Sequence, residues 1–174
     1  MASHRGPLCQ LDGYISLTTC DDVGARNTHV SDRKVVGDVT RITRATTYLV
    51  GNPWKNWLFL RLDTDQPGLY GLGEGTLNAF GRTVETAIHE LAPRYQGMDP
   101  FQVETIVQRM TRDLYSDGGQ IHGNAVAAIE EACWDIIGKE TGRPVYDLIG
   151  GRYHESLPVY ANGWYTGPRT PEAF

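Results

Sequence analysis

The chain has little lysine, little cysteine and no long apolar run. Of its 174 residues only three are lysines, and the formal net charge is −5. A nucleic-acid-binding protein presents a clustered basic face, so we expect no nucleic-acid partner. No stretch reaches the roughly 18 to 20 apolar residues that a membrane span requires, and the N-terminus lacks an apolar secretory core. We therefore expect neither membrane insertion nor export.

Cysteine usage excludes two further classes of protein. Cys9, Cys20 and Cys133 form an odd, widely spaced set without a CxxC pair. This pattern favours neither a disulfide framework nor a zinc site, and it is typical of a cytoplasmic protein with reduced thiols. The five histidines are dispersed, and none shows HExxH-like spacing. We expect no metal site within this chain.

What is present indicates one globular domain. Hydrophobic residues make up 40% of the chain and aromatics 10%, which is a globular composition. Residues 1–38 contain Gly6, Pro7, Gly13, Gly24 and Gly37 among scattered polar residues, and only the LDGYISL run at 11–17 is suited to a strand. We expect 1–38 to be a poorly ordered extension. An upstream start codon and a lineage-specific arm both explain it.

Three strands are predicted between residues 39 and 76. The first covers 39–50, where Ile42, Tyr48 and Val50 alternate with polar neighbours. The second covers 57–62, with its three leucines on one face, and the third covers 69–76. Turn residues separate them at 51–53 and 63–68, so an antiparallel meander is expected.

Helical spacing then replaces alternation. Apolar residues recur at three-and-four spacing over 84–91, over 103–114 and over 124–137, and Asp99-Pro100 is predicted to begin the second of these helices. The third helix has an alanine-rich apolar face that includes Ile129, Cys133 and Ile136, and Gly142 and Pro144 are predicted to end it. The fold class is therefore α+β: a three-stranded antiparallel meander followed by a helical bundle.

Two clusters invite a chemical interpretation. GLGEG at 71–75 is neither GxGxxG nor a Walker motif, and we interpret it as a turn rather than a nucleotide site. Glu130, Glu131 and Asp135 form an acidic helix surface. We interpret them as a solvated face rather than as a metal site.

One stretch carries a family resemblance. The sequence AIEEACWDIIGKETGRPVYDLIGG followed by LPVYANGWY is similar to the mandelate racemase and muconate lactonizing enzyme group of the enolase superfamily, and the likeness extends back to about Val39. It implies an enolase-like N-terminal capping domain at 39–151. It also implies that 152–174 are a linker and the first strand of a truncated β/α barrel.

The resemblance implies a chemistry that this chain does not itself carry. Members of the family abstract the proton next to a carboxylate and hold the enediolate on Mg²⁺. Their Lys-X-Lys pair and metal ligands lie on later barrel strands, and this chain has no Lys-X-Lys. We therefore assign no catalytic residue and no metal ligand here, and we expect Mg²⁺ only in the full-length family and the isolated chain to be inactive.

The resemblance also implies which residues of this chain contribute to substrate specificity. In the family, two cap loops close over the barrel mouth, and they correspond here to 51–56 and 76–82. The resulting candidates for substrate binding are Asn52, Trp54, Lys55, Asn78, Phe80 and Arg82, together with Asn162 and Trp164 after the barrel strand. Lys55 and Arg82 suit a second carboxylate or hydroxyl groups, and ordinary exposed loop residues are the alternative for each position.

Two functions remain open at this point. The first is the cap of a Mg²⁺-dependent enzyme that acts on a small sugar acid, with a dehydratase favoured over a racemase or cycloisomerase by overall likeness alone. Its partner is the missing barrel domain. The second is a stand-alone α+β binding or assembly module that pairs with itself or with a full-length relative. We expect self-association in either case, because the barrel strand lacks its neighbours.

Overall fold

The computed structural model describes residues 15–19, 39–51, 55–116, 118–160 and 170, with 15–19 described for the backbone alone. The strands are β1 (Ile15–Thr19), β2 (Ile42–Gly51), β3 (Asn56–Thr64) and β4 (Tyr70–Glu74). The helices are α1 (Gly81–Glu90), α2 (Ala92–Tyr95), α3 (Val103–Thr111), α4 (Gly119–Thr141) and α5 (Val145–Leu148). No helix among these residues has the length and apolar character needed to cross a membrane.

The sheet confirms the predicted meander and extends it by one strand. Strands β2, β3 and β4 are antiparallel neighbours, and β1 pairs with the other edge of β2 to give the order β1-β2-β3-β4. The added strand overlaps the LDGYISL run, within the segment predicted as an extension. Part of that segment thus belongs to the sheet, because β2 offers it an open edge.

The buried face of β2 differs from the prediction. Thr47 and Leu49 face the core, whereas Tyr48 is half-buried and Val50 is exposed on the other face. The register between β2 and β3 shifts at Ile42, before Arg44. A bulge inserts one residue and reverses the alternation beyond it, so a pattern that starts at Ile42 predicts the wrong face for the rest of the strand.

Helix α4 packs across the sheet and forms the centre of the core. Ile129, Cys133 and Ile136 are fully buried, as predicted. Burial raises the pKa of the Cys133 thiol to about 12, so this thiol is protonated and unreactive at neutral pH. The helix ends at Gly142, which adopts a left-handed conformation with φ of 67°.

The closest packing lies between α4 and β4. A Cβ placed on Gly71 would lie 1.9 Å from the Ala132 carbonyl oxygen, and one on Gly73 would lie 2.0 Å from the Ala128 carbonyl oxygen. We call these four residues the α4–β4 seam. Gly71 and Gly73 of GLGEG therefore lie within the predicted third strand, where they admit a helix backbone, and only the interpretation of the cluster as a turn fails for them.

Helix α3 begins later than predicted. Its first residue is Val103, whereas Asp99 accepts a hydrogen bond from the Phe101 N–H at 2.9 Å and shapes the preceding turn. Asp99 thus caps a turn rather than the helix, because side-chain capping and Asx turns share one sequence pattern.

Residues 152–160 form no helix or strand and are exposed throughout. Leu157 is 70% exposed and Val159 is 91% exposed. The assignment of this stretch to a barrel strand stays a prediction, since a strand requires hydrogen-bonded neighbours.

Candidate functional site

Both predicted loops lie at one end of the sheet. Gly51 pairs with Asn56, so the first loop closes the hairpin of β2 and β3. Strand β4 runs antiparallel to β3 and ends at Glu74, opposite Phe59 near the start of β3. The second loop therefore leaves the sheet beside the first. We call residues 51, 55–56 and 75–82 the loop end.

The base of the second loop is hydrogen-bonded to β3. The Gly75 N–H donates to the Leu58 carbonyl at 2.9 Å, and the Leu58 N–H donates to Thr76 Oγ1 at 3.1 Å. The threonine hydroxyl thus replaces a backbone acceptor where the ladder ends. This arrangement fixes where the second loop leaves the sheet.

Gly81 brings the two loops into contact. A Cβ on Gly81 would lie 2.8 Å from Leu49 Cδ1 and 3.6 Å from the Asn56 Cβ. A side chain at this position would displace the end of the Leu49 side chain, so glycine lets α1 begin close to the first hairpin without that shift. The first turn of α1 therefore packs directly against the residues that carry the first loop.

Four of the eight predicted binding residues are described. Lys55 is half-buried, with its Nζ 5.2 Å from the centre of the Trp57 ring, a cation–π distance. Asn78 and Phe80 are exposed in the second loop, and Phe80 retains 50% of its surface. The predicted residues outside the described chain are Asn52, Trp54, Asn162 and Trp164.

Arg82 lies apart from the other candidates. It is exposed on α1 and lines a groove with Thr86, Glu90 and Ile121 of α4. Lys55 does not line this groove. The structure thus brings the two loops together at Gly81 but places Arg82 on the side of α1 that faces α4.

The second loop contains one strained residue. Ala79 has φ of 67°, and it is the one non-glycine residue with positive φ in the described chain. Left-handed backbone is costly for a residue with a Cβ, so a tight turn is held here against its local preference.

Sequence reasoning missed a buried polar cluster beneath this end of the domain. Thr47 Oγ1 lies 2.9 Å from Glu85 Oε1 and 3.0 Å from His89 Nε2, and Glu85 is buried. Desolvation lowers the pKa of His89, opposed by the negative charge of Glu85. The available signal was the four-residue spacing of Glu85 and His89 on an amphipathic helix.

These groups do not form a metal centre. Within the described residues, no three His, Cys, Asp or Glu side chains are placed to hold a metal ion. Mg²⁺ therefore does not fit the donor set of the described residues.

Comparison with known sequences places the domain in a family. Residues 35–150 match the family described as mandelate racemase / muconate lactonizing enzyme, N-terminal domain. A D-galactonate dehydratase from Variovorax paradoxus is 41% identical over 129 residues, which are 74% of this chain and 32% of that protein. The chain thus spans about a third of the length of this relative.

Solved structures agree with the sequence relatives. An enolase from Pantoea ananatis with bound D-gluconate and Mg is 38% identical, with a TM-score of 0.62 over 66% of this chain and 28% of that one. A member of the enolase superfamily from Salmonella Typhimurium is 29% identical, with a TM-score of 0.61 over 67% of this chain and 31% of that one. Because the family match covers both the sheet and the helices, the chain belongs to the mandelate racemase / muconate lactonizing enzyme N-terminal domain family.

Proposed function

We propose that this chain is the cap that closes over the substrate in a Mg²⁺-dependent sugar-acid dehydratase. The observation that supports this best is the loop end, where two loops leave the sheet side by side and touch through Gly81. A cap that covers an active site excludes water and positions the part of the substrate remote from the reacting carbon. The names of the relatives, a D-galactonate dehydratase and an enolase with bound D-gluconate, favour a sugar acid as substrate.

Within this proposal the loop residues have distinct tasks. Lys55 presents a cation beside the Trp57 ring, a pairing that suits the hydroxyl-rich, anionic end of a sugar acid. Phe80 offers an exposed apolar surface that shields the bound substrate from water. Proton abstraction and metal binding are assigned to residues outside this chain, where a bound Mg²⁺ would supply electrostatic stabilisation of developing negative charge.

The proposal is tested by separating the cap from the chemistry. The isolated chain is assayed against aldonic and aldaric acids with Mg²⁺ and is expected to give no turnover. Residues 39–151 then replace the cap of the Variovorax D-galactonate dehydratase, and this chimera is expected to dehydrate at least one sugar acid.

Two variants of the chimera probe the loop assignment. Lys55→Ala is expected to raise KM for the preferred acid. Arg94→Ala removes one cation whose guanidinium donates to the Arg109 carbonyl on α3, away from the loop end, and serves as the matched control. Chelator-sensitive turnover by the isolated chain would contradict the proposal, and so would a well-folded chimera without activity towards any acid.

A second candidate function is assembly, and one observation favours it. Apolar side chains are exposed along 152–160, with Tyr153 and Tyr160 almost fully accessible. Exposed apolar side chains gathered at Leu157, Val159 and Tyr160 favour association with another chain. Sedimentation of the full chain is compared with a version that ends at Gly151, and weaker association of the shorter chain is expected. Equal association constants for the two chains would rule out this segment as the contact.

A further inference from the structure

Strand β4 is an edge of the sheet that the described residues form. Its inner hydrogen-bonding groups pair with β3, so the Leu72 N–H, the Glu74 N–H and the Tyr70 carbonyl point away from the sheet. An edge with free groups of this kind recruits a further strand. Here, however, none of these three groups is left without a partner.

Acidic side chains of α4 take the two N–H groups. The Leu72 N–H donates to Asp135 Oδ2 at 2.8 Å, and the Glu74 N–H donates to Glu131 Oε2 at 2.9 Å. Asp135 and Glu131 are four residues apart and therefore project from the same side of the helix. Glu131 and Asp135 thus lie on a solvent-accessible face of α4, as interpreted, and they also bind the backbone of a strand, which the sequence did not predict.

Lys139 completes the pattern one helical turn further on. Its Nζ donates to the Tyr70 carbonyl at 2.9 Å and to Asp135 Oδ2 at 2.6 Å. Acceptors thus face the two N–H groups, and a donor faces the carbonyl. We call Glu131, Asp135 and Lys139 the α4 row. Its bonds are charge-assisted, which makes each stronger than a neutral hydrogen bond.

We propose that the α4 row locks a strand-pairing surface, and that β4 of a second copy of this chain is the partner that the lock excludes. Antiparallel pairing centred on Leu72 is self-complementary. It sets the 51% exposed Leu72 side chain against its own copy and Tyr70 of one chain opposite Glu74 of the other. Leu72 is thus the one described position that meets its own copy, and each flanking pair joins an aromatic ring to a carboxylate.

Charge complementarity supports the same partner. The Tyr70 ring lies 4.0 Å from the Arg61 guanidinium carbon and 4.3 Å from Lys139 Nζ. In the antiparallel pair the exposed Glu74 carboxylate of the second copy reaches this cationic corner. Opposite charges on facing strands favour the pairing, so the edge fits its own copy once Glu131 and Asp135 of the row are removed and Lys139 remains.

The experiment removes the lock in the full chain. Glu131→Ala/Asp135→Ala is compared with the parent by sedimentation at several concentrations and by hydrogen exchange. We expect the Leu72 and Glu74 amides to exchange faster, and the chain to self-associate about tenfold or more tightly than the parent. Adding Leu72→Pro removes the central N–H of the pair and is tolerated on an edge, so association is expected to return to the parental value.

Matched variants separate this lock from other effects. Glu130→Ala removes a charge from the same helix without touching the row, and parental association is expected. If the double variant fails to fold, Asp135→Ala alone frees the Leu72 N–H and carries the same comparison. Three outcomes would overturn the proposal: unchanged exchange at Leu72 and Glu74, faster exchange without tighter association, or tighter association that survives Leu72→Pro.

Discussion

The α4–β4 seam and the loop end are built in opposite ways. In the seam, glycines of β4 meet the carbonyl groups of α4 with no space for a methyl group. At the loop end, Asn78 and Phe80 are exposed and Ala79 is held in a strained conformation. Stability is therefore concentrated where backbones touch, and exposed side chains are displayed where the backbone is strained. The α4–β4 seam holds the helix against the sheet, and we propose that the loop end selects the substrate.

The seam gives the largest expected effect. Gly73→Ala places a Cβ 2.0 Å from the Ala128 carbonyl oxygen, and neither backbone is able to move away without opening the core. Overpacking with side chains costs about 1 to 3 kcal/mol, and a backbone clash exceeds this. We expect a loss of about 5 kcal/mol or more, which is enough to unfold a marginally stable domain. Circular dichroism with urea titration measures it.

A second glycine of the same region provides the control. A Cβ on Gly123 meets no atom within 4 Å, and this residue lies inside α4. Gly123→Ala is expected to stabilise the chain by roughly 0.5 to 1 kcal/mol through helix propensity. If Gly73→Ala unfolded at the parental urea concentration, the seam would not be the stability centre of the domain.

The next effect comes from the apolar face of α4. Ile136 is fully buried, so Ile136→Ala leaves a cavity and is expected to cost about 2 to 5 kcal/mol. The matched change Ile149→Ala, at a residue that is 64% exposed, is expected to cost well under half of that. Both are read from urea midpoints. Equal shifts for the two variants would mean that α4 does not dominate the core.

The sequence predicted elements with regular periodicity most accurately. The face of α4 and the alternation along β3 depend on spacing alone, because both elements pack uniformly on one side. The face of β2 was missed because a bulge after Ile42 breaks the period. The start of α3 was missed because Asp99 caps a turn with the signature of a helix cap.

The candidate site was less accessible to sequence reasoning. The family resemblance predicted the two loops from their positions along the chain. It did not give the contact of Gly81 with Leu49, which depends on how α1 docks on the sheet. The Thr47 cluster was equally hidden, because it joins a strand to a helix across a long sequence separation. The spacing of Glu85 and His89 on α1 indicates that the two side chains share a helix face, but it does not indicate that Thr47 packs between them.

The polar cluster beside the loop end gives a smaller, pH-dependent effect. Because desolvation lowers the pKa of His89 from 6.5 in the folded chain, the unfolded chain binds this proton first as the pH falls. The contribution of His89 to the free energy of unfolding should not change with pH above 6.5. It should decrease as the pH falls from 6.5 towards the lowered pKa. Urea midpoints between about pH 5.5 and 8 measure this dependence.

A variant isolates the histidine from the carboxylates. His89→Gln keeps a donor near Thr47 Oγ1 but has no titration in this range. Its urea midpoints are expected to vary less with pH than those of the parent. Identical profiles for parent and variant would show that His89 does not contribute to the pH dependence of stability. A steeper profile for the variant would mean that folding raises the pKa of His89 instead of lowering it.

The smallest effect tests strain at the loop end. Ala79 has φ of 67°, where a residue with a Cβ pays roughly 1 to 2 kcal/mol relative to right-handed backbone. Ala79→Gly removes this cost, but glycine loses about 0.5 to 1 kcal/mol more in conformational entropy on folding. We therefore expect a net stabilisation of about 0 to 1.5 kcal/mol. The matched change Ala127→Gly, at an exposed position inside α4, is expected to destabilise the chain by about 1 kcal/mol. Opposite signs for the same substitution would show that backbone conformation, rather than lost side-chain contacts, sets the cost at the loop end. A destabilising Ala79→Gly would mean that the Ala79 methyl group makes contacts worth more than the strain it imposes.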